Sequence, residues 1–500
     1  MKERDMRLNP ARVFVNNIFF VIFLLSLQIV SIVLFAIYTK YQDFTYGSTD
    51  TTLVDNILAE GHLKIYYPLY QDISMMLLIG YGFLIVFMRF HRWNSLGVTL
   101  FVAAFGMQYY ILWQMFWKKV FLNLYWGQEM VIDFRILIEA EKGAIAVLIS
   151  LGALMGKVDY FQTLFFLVFE LGFYTCNEAL QLYKIFADDA GGGMIIHLFA
   201  GVFGVAASWI YSPKYNTRNN PNNIPSYSSS TLAFFGTMFL WIFFPSFNAA
   251  EAQSVHLISL AATNTIYGLT ASAFLAFGTS ALLKHGKFTI EHILNATLAG
   301  GVVLGATADL IFWPFIALLF GSFAGILSVL SFNFLGPALE RIKLFDTRGI
   351  LHLHAIPGLF SGILSAILCG GASTFYVGNS TVQGYIVKKG RNQFYQGGAQ
   401  IAMTGISLAI ALIGGCLAGV FLRLWRYCAL PEDTFGDQFF WKLPPEAIPE
   451  AKPSVMLGPV VLNPNPINLS PPGPQMMLSP GHPIITNVNT YNALSSATSR

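Results

Sequence analysis

The chain reads as an all-α membrane protein with about twelve transmembrane helices, an inverted internal repeat and both termini in the cytoplasm. Three observations lead there. The 500 residues are 55% hydrophobic and only 11% charged, whereas a soluble chain carries about 25% charged residues. Apolar stretches of bilayer length recur along the chain. Basic residues are dense in alternate inter-helix loops and sparse in the others. The mean hydropathy of +0.57 agrees, and a net charge of +3 is too small and too dispersed to suggest a nucleic-acid partner. Four scattered cysteines without a CxxC spacing exclude a disulfide scaffold and a zinc ribbon.

A helix needs roughly 20 apolar residues to cross a bilayer. Val13 to Tyr38 supplies 26 residues without a charge, too long for a secretory signal and therefore a retained helix. Further spans are expected at about 72–90, 93–117, 141–157, 160–184, 190–211 and 230–250. The rest fall at about 254–283, 291–309, 310–333, 349–371 and 400–423.

An even number of spans puts both termini on one side. Loops on that side hold Lys2, Arg4, Arg7 and Arg12, then Arg89, Arg92, Lys157, Lys214, Arg218, Lys284, Lys287, Arg341, Lys343 and Arg348. The opposite loops are poorer, so the positive-inside bias places the termini in the cytoplasm and Asn379, in the sequon Asn379-Ser380-Thr381, outside as a glycosylation candidate. Twelve of the 22 prolines lie between Pro444 and Pro483, with hardly any charge. Such a segment buries too little surface to offset chain entropy. The expected domains are a cytoplasmic N-terminus (1–12), a transmembrane domain (13–430) and a largely disordered, proline-rich cytoplasmic tail (431–500) open to a cytoplasmic partner.

One internal repeat stands out. Asp189, Gly192, His197, Gly201 and Phe203 match Asp346, Gly349, His354, Gly358 and Phe360 in the pattern D-x-x-G-x4-H-x3-G-x-F. The first copy enters the bilayer from outside and the second from inside, and inverted repeats of this kind build transport proteins with a site near the midplane. An ionisable side chain at that depth lines an internal cavity more often than it faces lipid. Two histidines at matching positions of antiparallel copies can meet on a pseudo-twofold axis.

Desolvation disfavours a charged imidazolium, so the pair is expected to be neutral, each ring with one donor and one acceptor nitrogen. A dry tube costs an entering ion several kcal/mol or more. A small neutral solute loses only hydrogen bonds, about 2–7 kcal/mol uncompensated. Such a pore favours neutral ammonia over ammonium or potassium.

At these residues the chain resembles the Rhesus (Rh) glycoprotein type of the ammonium transporter superfamily. The resemblance rests on Asp189-Ala-Gly-Gly-Gly-Met-Ile-Ile-His197, on Trp241 to Pro245-Ser-Phe-Asn248, on Asn295-Ala-Thr-Leu-Ala-Gly-Gly301, and on Asp346-Thr-Arg-Gly to Leu353-His354-Ala-Ile-Pro-Gly358. It extends over about residues 13–447. It implies the fold of that superfamily, a homotrimer with one pore in each subunit, and a plasma-membrane location. It also implies passive conduction, in which ammonium loses its proton near the outer vestibule and ammonia passes His197 and His354, with methylammonium as a related solute. Asp189 matches an acidic residue that orders backbone near the outer vestibule, and Glu178 an acidic position at the vestibule.

The outer gate departs from the family pattern. Phe247 matches one of the two usual phenylalanines, and the register puts Lys142 in place of the other. Lys142 either snorkels outward, paired with Glu139 three residues earlier, or crowds and charges the vestibule, with Glu141 as a local counter-charge. Glu170, mid-helix, is expected to be satisfied between helices, Asp309 to cap a helix or face outside, and His352 to point away from the pore.

Two other classes of function remain in view. A carbon dioxide pathway can use the same neutral tube. A weakly or non-conducting structural or sensor subunit fits the altered gate, although such relatives tend to lose the histidine pair. An enzyme is not expected. There is no HExxH, no HxxxH pair and no phosphate-binding loop, so no catalytic residue, metal ligand or cofactor is named.

Overall fold

The computed structural model describes residues 10–41, 53–211, 223–371, 388–424 and 435–444. All of them fall in one compact unit, Met1–Pro445. Asn379 lies outside the described residues, as do the N-terminus up to residue 9 and the tail beyond residue 444.

The helices run in chain order as α1 (Pro10–Tyr38), α2 (Leu53–Met75, carried on by Met76–Tyr81 and Gly82–Leu84), α3 (Trp93–Leu122) and α4 (Phe134–Leu154). They continue as α5 (Tyr160–Leu180, with a wide turn Gln181–Ile185), α6 (Gly193–Tyr211), α7 (Tyr227–Ala249) and α8 (Val255–Leu283). The last four are α9 (Ile290–Val303), α10 (Pro314–Arg341), α11 (Leu351–Gly371) and α12 (Gln393–Leu424). Among the described residues, twelve helical runs match the twelve expected spans in order. Eight of those described are by themselves long and apolar enough to cross a membrane. A short parallel pair, β1 (Thr39–Tyr41) and β2 (Met130–Ile132), joins the outer ends of α1 and α3–α4.

Local signals set the helix starts. Asp133 accepts from the amide of Ile136 at the start of α4, at 2.9 Å. Asp159 and Gln162 form a reciprocal capping box on α5, and Ser226 and Ser229 form another on α7. These side chains satisfy amides that have no partner within the helix. Pro314 opens α10, where its missing N–H costs nothing.

Several helix ends differ from expectation: α4 starts at Phe134, α12 at Gln393, α10 runs on to Arg341, and α2 and α9 depart as follows. Helix α2 starts at Leu53 rather than near residue 72. The charges of Asp55, Glu60, Lys64 and Asp72 hide its outer half from a hydropathy window. Helix α9 ends at Val303, and residues up to 309 continue as turns.

Burial separates the centre of the bundle from its rim. The apolar window of α6 is 83% buried and that of α1 only 6%. Phe19, Ile22, Leu25, Ile29 and Ile32 of α1 are exposed, as a lipid-facing helix requires. Helices α3, α4 and α6 supply the largest shares of the buried apolar residues of the core.

Residues 435–444, within the segment expected to be a largely disordered tail, pack on the helical bundle. Phe435 is buried against Ile85, Met88 and Met155. Trp441 meets Trp93 edge-on, with ring centroids 5.8 Å apart. Asp437 accepts from the amides of Arg92 (2.9 Å), Trp93 (3.0 Å) and Asn94 (2.8 Å), and so caps α3 from more than 340 residues away. Burial raises its carboxyl above the usual carboxylate range, against the pull of these three donors.

Candidate functional site: a histidine pair between two vestibules

The two copies of the repeat fold alike. In each, the aspartate bonds backbone amides at the start of the histidine helix. Asp189 Oδ2 accepts from Met194 (2.9 Å) and Ile195 (2.8 Å). Asp346 accepts from Gly349 (3.0 Å) and Leu351 (2.8 Å). The glycine of each D-x-x-G turn is left-handed, with φ of 69° at Gly192 and 72° at Gly349, where a side chain would be strained. Each helix then opens with π-helical turns, Gly193–Leu198 and Leu351–Ala355, and each of these carries one of the histidines. Wide turns of this sort recur at functional sites because they redirect side chains.

His197 and His354 meet. Their Nδ1 atoms are 3.0 Å apart, and their rings are nearly parallel at 18° with centroids 5.1 Å apart. One ring nitrogen must donate and the other accept. Both residues are buried, and His197 Nε2 has no hydrogen-bond partner among the described residues. Phe247 and Phe244 flank His197 at 5.8 and 5.9 Å between ring centroids. Tyr81 stacks on the far side of His354 at 6.3 Å.

A cavity approaches the pair from each side. The inner one, about 520 Å³, reaches His354 and Tyr81 and is walled by Glu291, His292, Asp346, Arg348 and His352. His352 points away from the histidine pair, onto Ser331 Oγ at 2.6 Å, yet it lines this inner vestibule, which its position in the sequence did not suggest. The outer cavity, about 610 Å³, is lined by Glu139, Glu178, Asp188, Asp189, Ala190 and Glu251. Glu178 accepts there from the hydroxyl of Tyr110 at 2.7 Å.

Lys142 takes neither of the pairings weighed from sequence. Its side chain is 1% exposed, so it does not snorkel, and Nζ lies 2.7 Å from Glu251 Oε1. Nζ also donates to the carbonyl of Ala190 at 3.1 Å and sits 5.0 Å from the centre of the Phe247 ring. Glu139 instead faces Arg135 at 3.8 Å. Glu141 is not the counter-charge: it turns off the vestibule and accepts from Ser74 Oγ. Glu170 accepts from Ser150 Oγ between helices, but its Oε2 is buried without a hydrogen-bond partner among the described residues, so the expected satisfaction is only half met. Asp309 is buried rather than facing outside.

Sequence reasoning missed Glu251, Ala190, Tyr110 and Tyr81. Glu251 carried a signal, being an acidic residue four positions after Phe247 at the outer end of an apolar helix. The others are ordinary residue types whose roles come from tertiary position alone.

The sequence model of the Ammonium Transporter Family matches residues 30–427. The chain belongs to that family. Within it the chain is of the Rh type. It is 34% identical to the ammonium transporter Rh type C of Canis lupus familiaris, over 84% of this chain and 93% of the relative. It is also 34% identical to the Rh type B protein of Takifugu rubripes, over 85% and 92%. The Rh50 structure of Nitrosomonas europaea superimposes with a TM-score of 0.65 at 30% identity, covering 77% of this chain and 94% of that one. Saccharomyces cerevisiae Mep2 shares the fold at 17% identity and a TM-score of 0.61, covering 77% and 92%. This Rh-type family member is a multi-pass integral membrane protein and not an enzyme.

Proposed function

We propose that this Rh-type protein is a passive ammonia/ammonium channel. Ammonium loses its proton near the outer vestibule, and neutral ammonia passes the His197–His354 pair to be reprotonated inside. The carrying observation is the 3.0 Å contact between the two Nδ1 atoms, buried between two vestibules of about 520 and 610 Å³. A cation crossing that buried stretch gives up its hydration shell, whereas ammonia exchanges a few hydrogen bonds. His197 Nε2, with no hydrogen-bond partner among the described residues, is free to make one of them, as acceptor when its Nδ1 carries the proton and as donor when it does not. The family's ammonium transporters supply the substrate class, and the resemblance supplies the assembly, a homotrimer with a pore in each subunit.

The test is stopped-flow alkalinisation of liposomes carrying the purified protein, imposed with an inward ammonium chloride gradient. Flux above that of empty liposomes, reduced in His197→Ala and His354→Ala, is expected. Equal flux with and without protein overturns the channel reading.

A further inference from the structure

The outer mouth holds a cation of its own. Lys142 Nζ has a carboxylate at 2.7 Å (Glu251), a carbonyl at 3.1 Å (Ala190) and an aromatic face at 5.0 Å (Phe247). An ammonium ion stripped of water asks for the same three partners: a counter-charge, a neutral acceptor and a π-face. Ala190 and Glu251 also line the outer cavity, so the groups that hold Nζ are within reach of a cation from outside. Behind them Phe247 is fully buried, with His197 next in line.

We infer that Lys142 is a tethered occupant of the seat that an incoming ammonium or primary alkylammonium ion would take, so that the outer mouth competes with itself for substrate. The inference rests on the channel reading for its direction of entry, but the seat is defined by its own contacts. A lysine side chain is an alkylammonium on a four-carbon stem. Tethered against Glu251 and Ala190, it acts at an effective concentration on the order of millimolar or higher. External cations below that level do not displace it. Glu139 and Glu178 line the same cavity, but so do Lys118, Arg135, Lys388 and Lys389, so the charge around the mouth adds little pull on a cation. Capture is therefore shallow, and entry is close to linear in external concentration.

Binding and transport test this separately. The full-length protein in detergent is titrated with methylammonium chloride against equal concentrations of potassium chloride, and the rise in melting temperature gives the half-saturating concentration. In Lys142→Met, which removes the tethered charge and keeps the bulk, this concentration should fall by about tenfold or more relative to wild type. Lys142→Gln, which keeps a donor toward Ala190, should show the same direction if the methionine variant does not fold. Adding Glu251→Gln to either variant removes the seat's charge and should abolish the gain. Methylammonium uptake by liposomes should turn from near-linear in wild type to saturable in Lys142→Met.

An unchanged half-saturating concentration in a folded Lys142 variant overturns the inference, and so does a gain that survives Glu251→Gln. Loss of all protein-dependent flux beside a retained gain in binding would instead strike the channel reading and leave the seat standing.

Discussion

Gly201 packs against Ala355 so closely that a Cβ on the glycine would fall 2.6 Å from the alanine's backbone nitrogen. The relation is reciprocal. A Cβ on Gly358 would fall 2.6 Å from the backbone nitrogen of Leu198. Each glycine lies four residues after its histidine, and each contacted residue one after the other histidine, so the crossing of α6 and α11 obeys the pseudo-twofold axis that pairs the rings. The glycines are in the repeat because only they let two backbones approach closely enough for the histidines to touch.

Gly201→Val and Gly358→Val should therefore each force the helices apart. The loss of stability should be about 1–3 kcal/mol, since the clash is with backbone that cannot swing away, and flux through liposomes should fall with it. Gly398→Ala is the control, because nothing lies within 4 Å of its added Cβ. It should leave the melting temperature unchanged or raise it. Equal melting temperatures for all three variants and the parent would show that the crossing is not as tight as these distances state.

The histidines should behave as a unit. Either alanine substitution removes the same Nδ1–Nδ1 bond, so the second adds little once the first is made. In a double-mutant cycle on ammonia flux, His197→Ala and His354→Ala should be clearly less than additive. Additive losses would mean that the rings act on the permeating solute independently.

Much of this was legible in the residues. Hydropathy yields the twelve spans, because in a bilayer every backbone group must be satisfied within its own helix. The repeat yields the histidine pair, because backbone turn, glycine and side chain recur at fixed spacing. The outer mouth was not legible to the same degree. Lys142 pairs with Glu251, which follows it by more than 100 residues, and no local periodicity carries such a contact. Helical neighbours at three and four residues, Glu139 among them, are the pairs that sequence suggests, and tertiary position overrode them. The segment around Asp437 was hidden for another reason. A proline-rich composition describes the tail as a whole, while the docked stretch depends on three particular side chains, Phe435, Asp437 and Trp441.

That docked stretch makes a prediction about α3. With Asp437 gone, the amides of Arg92, Trp93 and Asn94 lose a shared carboxylate. Asp437→Ala should cost about 0.5–2 kcal/mol, the range for loss of a helix N-cap, and Asp437→Asn clearly less. Hydrogen exchange at the start of α3 should quicken in the alanine variant. No change in exchange there would show that Phe435 and Trp441 hold the segment without the cap.

The two D-x-x-G aspartates offer a last test, because the pseudo-twofold axis treats them as equivalents while their surroundings do not. Asp189 borders the outer vestibule and Asp346 the inner one. If Asp189 served chiefly to attract cations, Asp189→Asn would be as harmful to flux as Asp189→Ala, since both remove the charge. Its Oδ2 is occupied by the amides of Met194 and Ile195, and an asparagine oxygen can accept those bonds. Asp189→Asn should therefore retain most of the stability and flux that Asp189→Ala loses. Asp346→Asn and Asp346→Ala should repeat that order from the cytoplasmic side, each alanine costing about 1–3 kcal/mol for the amides it leaves unsatisfied. Thermal unfolding and liposome flux of the four variants decide it. An asparagine at 189 as damaging as alanine, beside a tolerated asparagine at 346, would give the outer aspartate an electrostatic role that its hydrogen bonds do not.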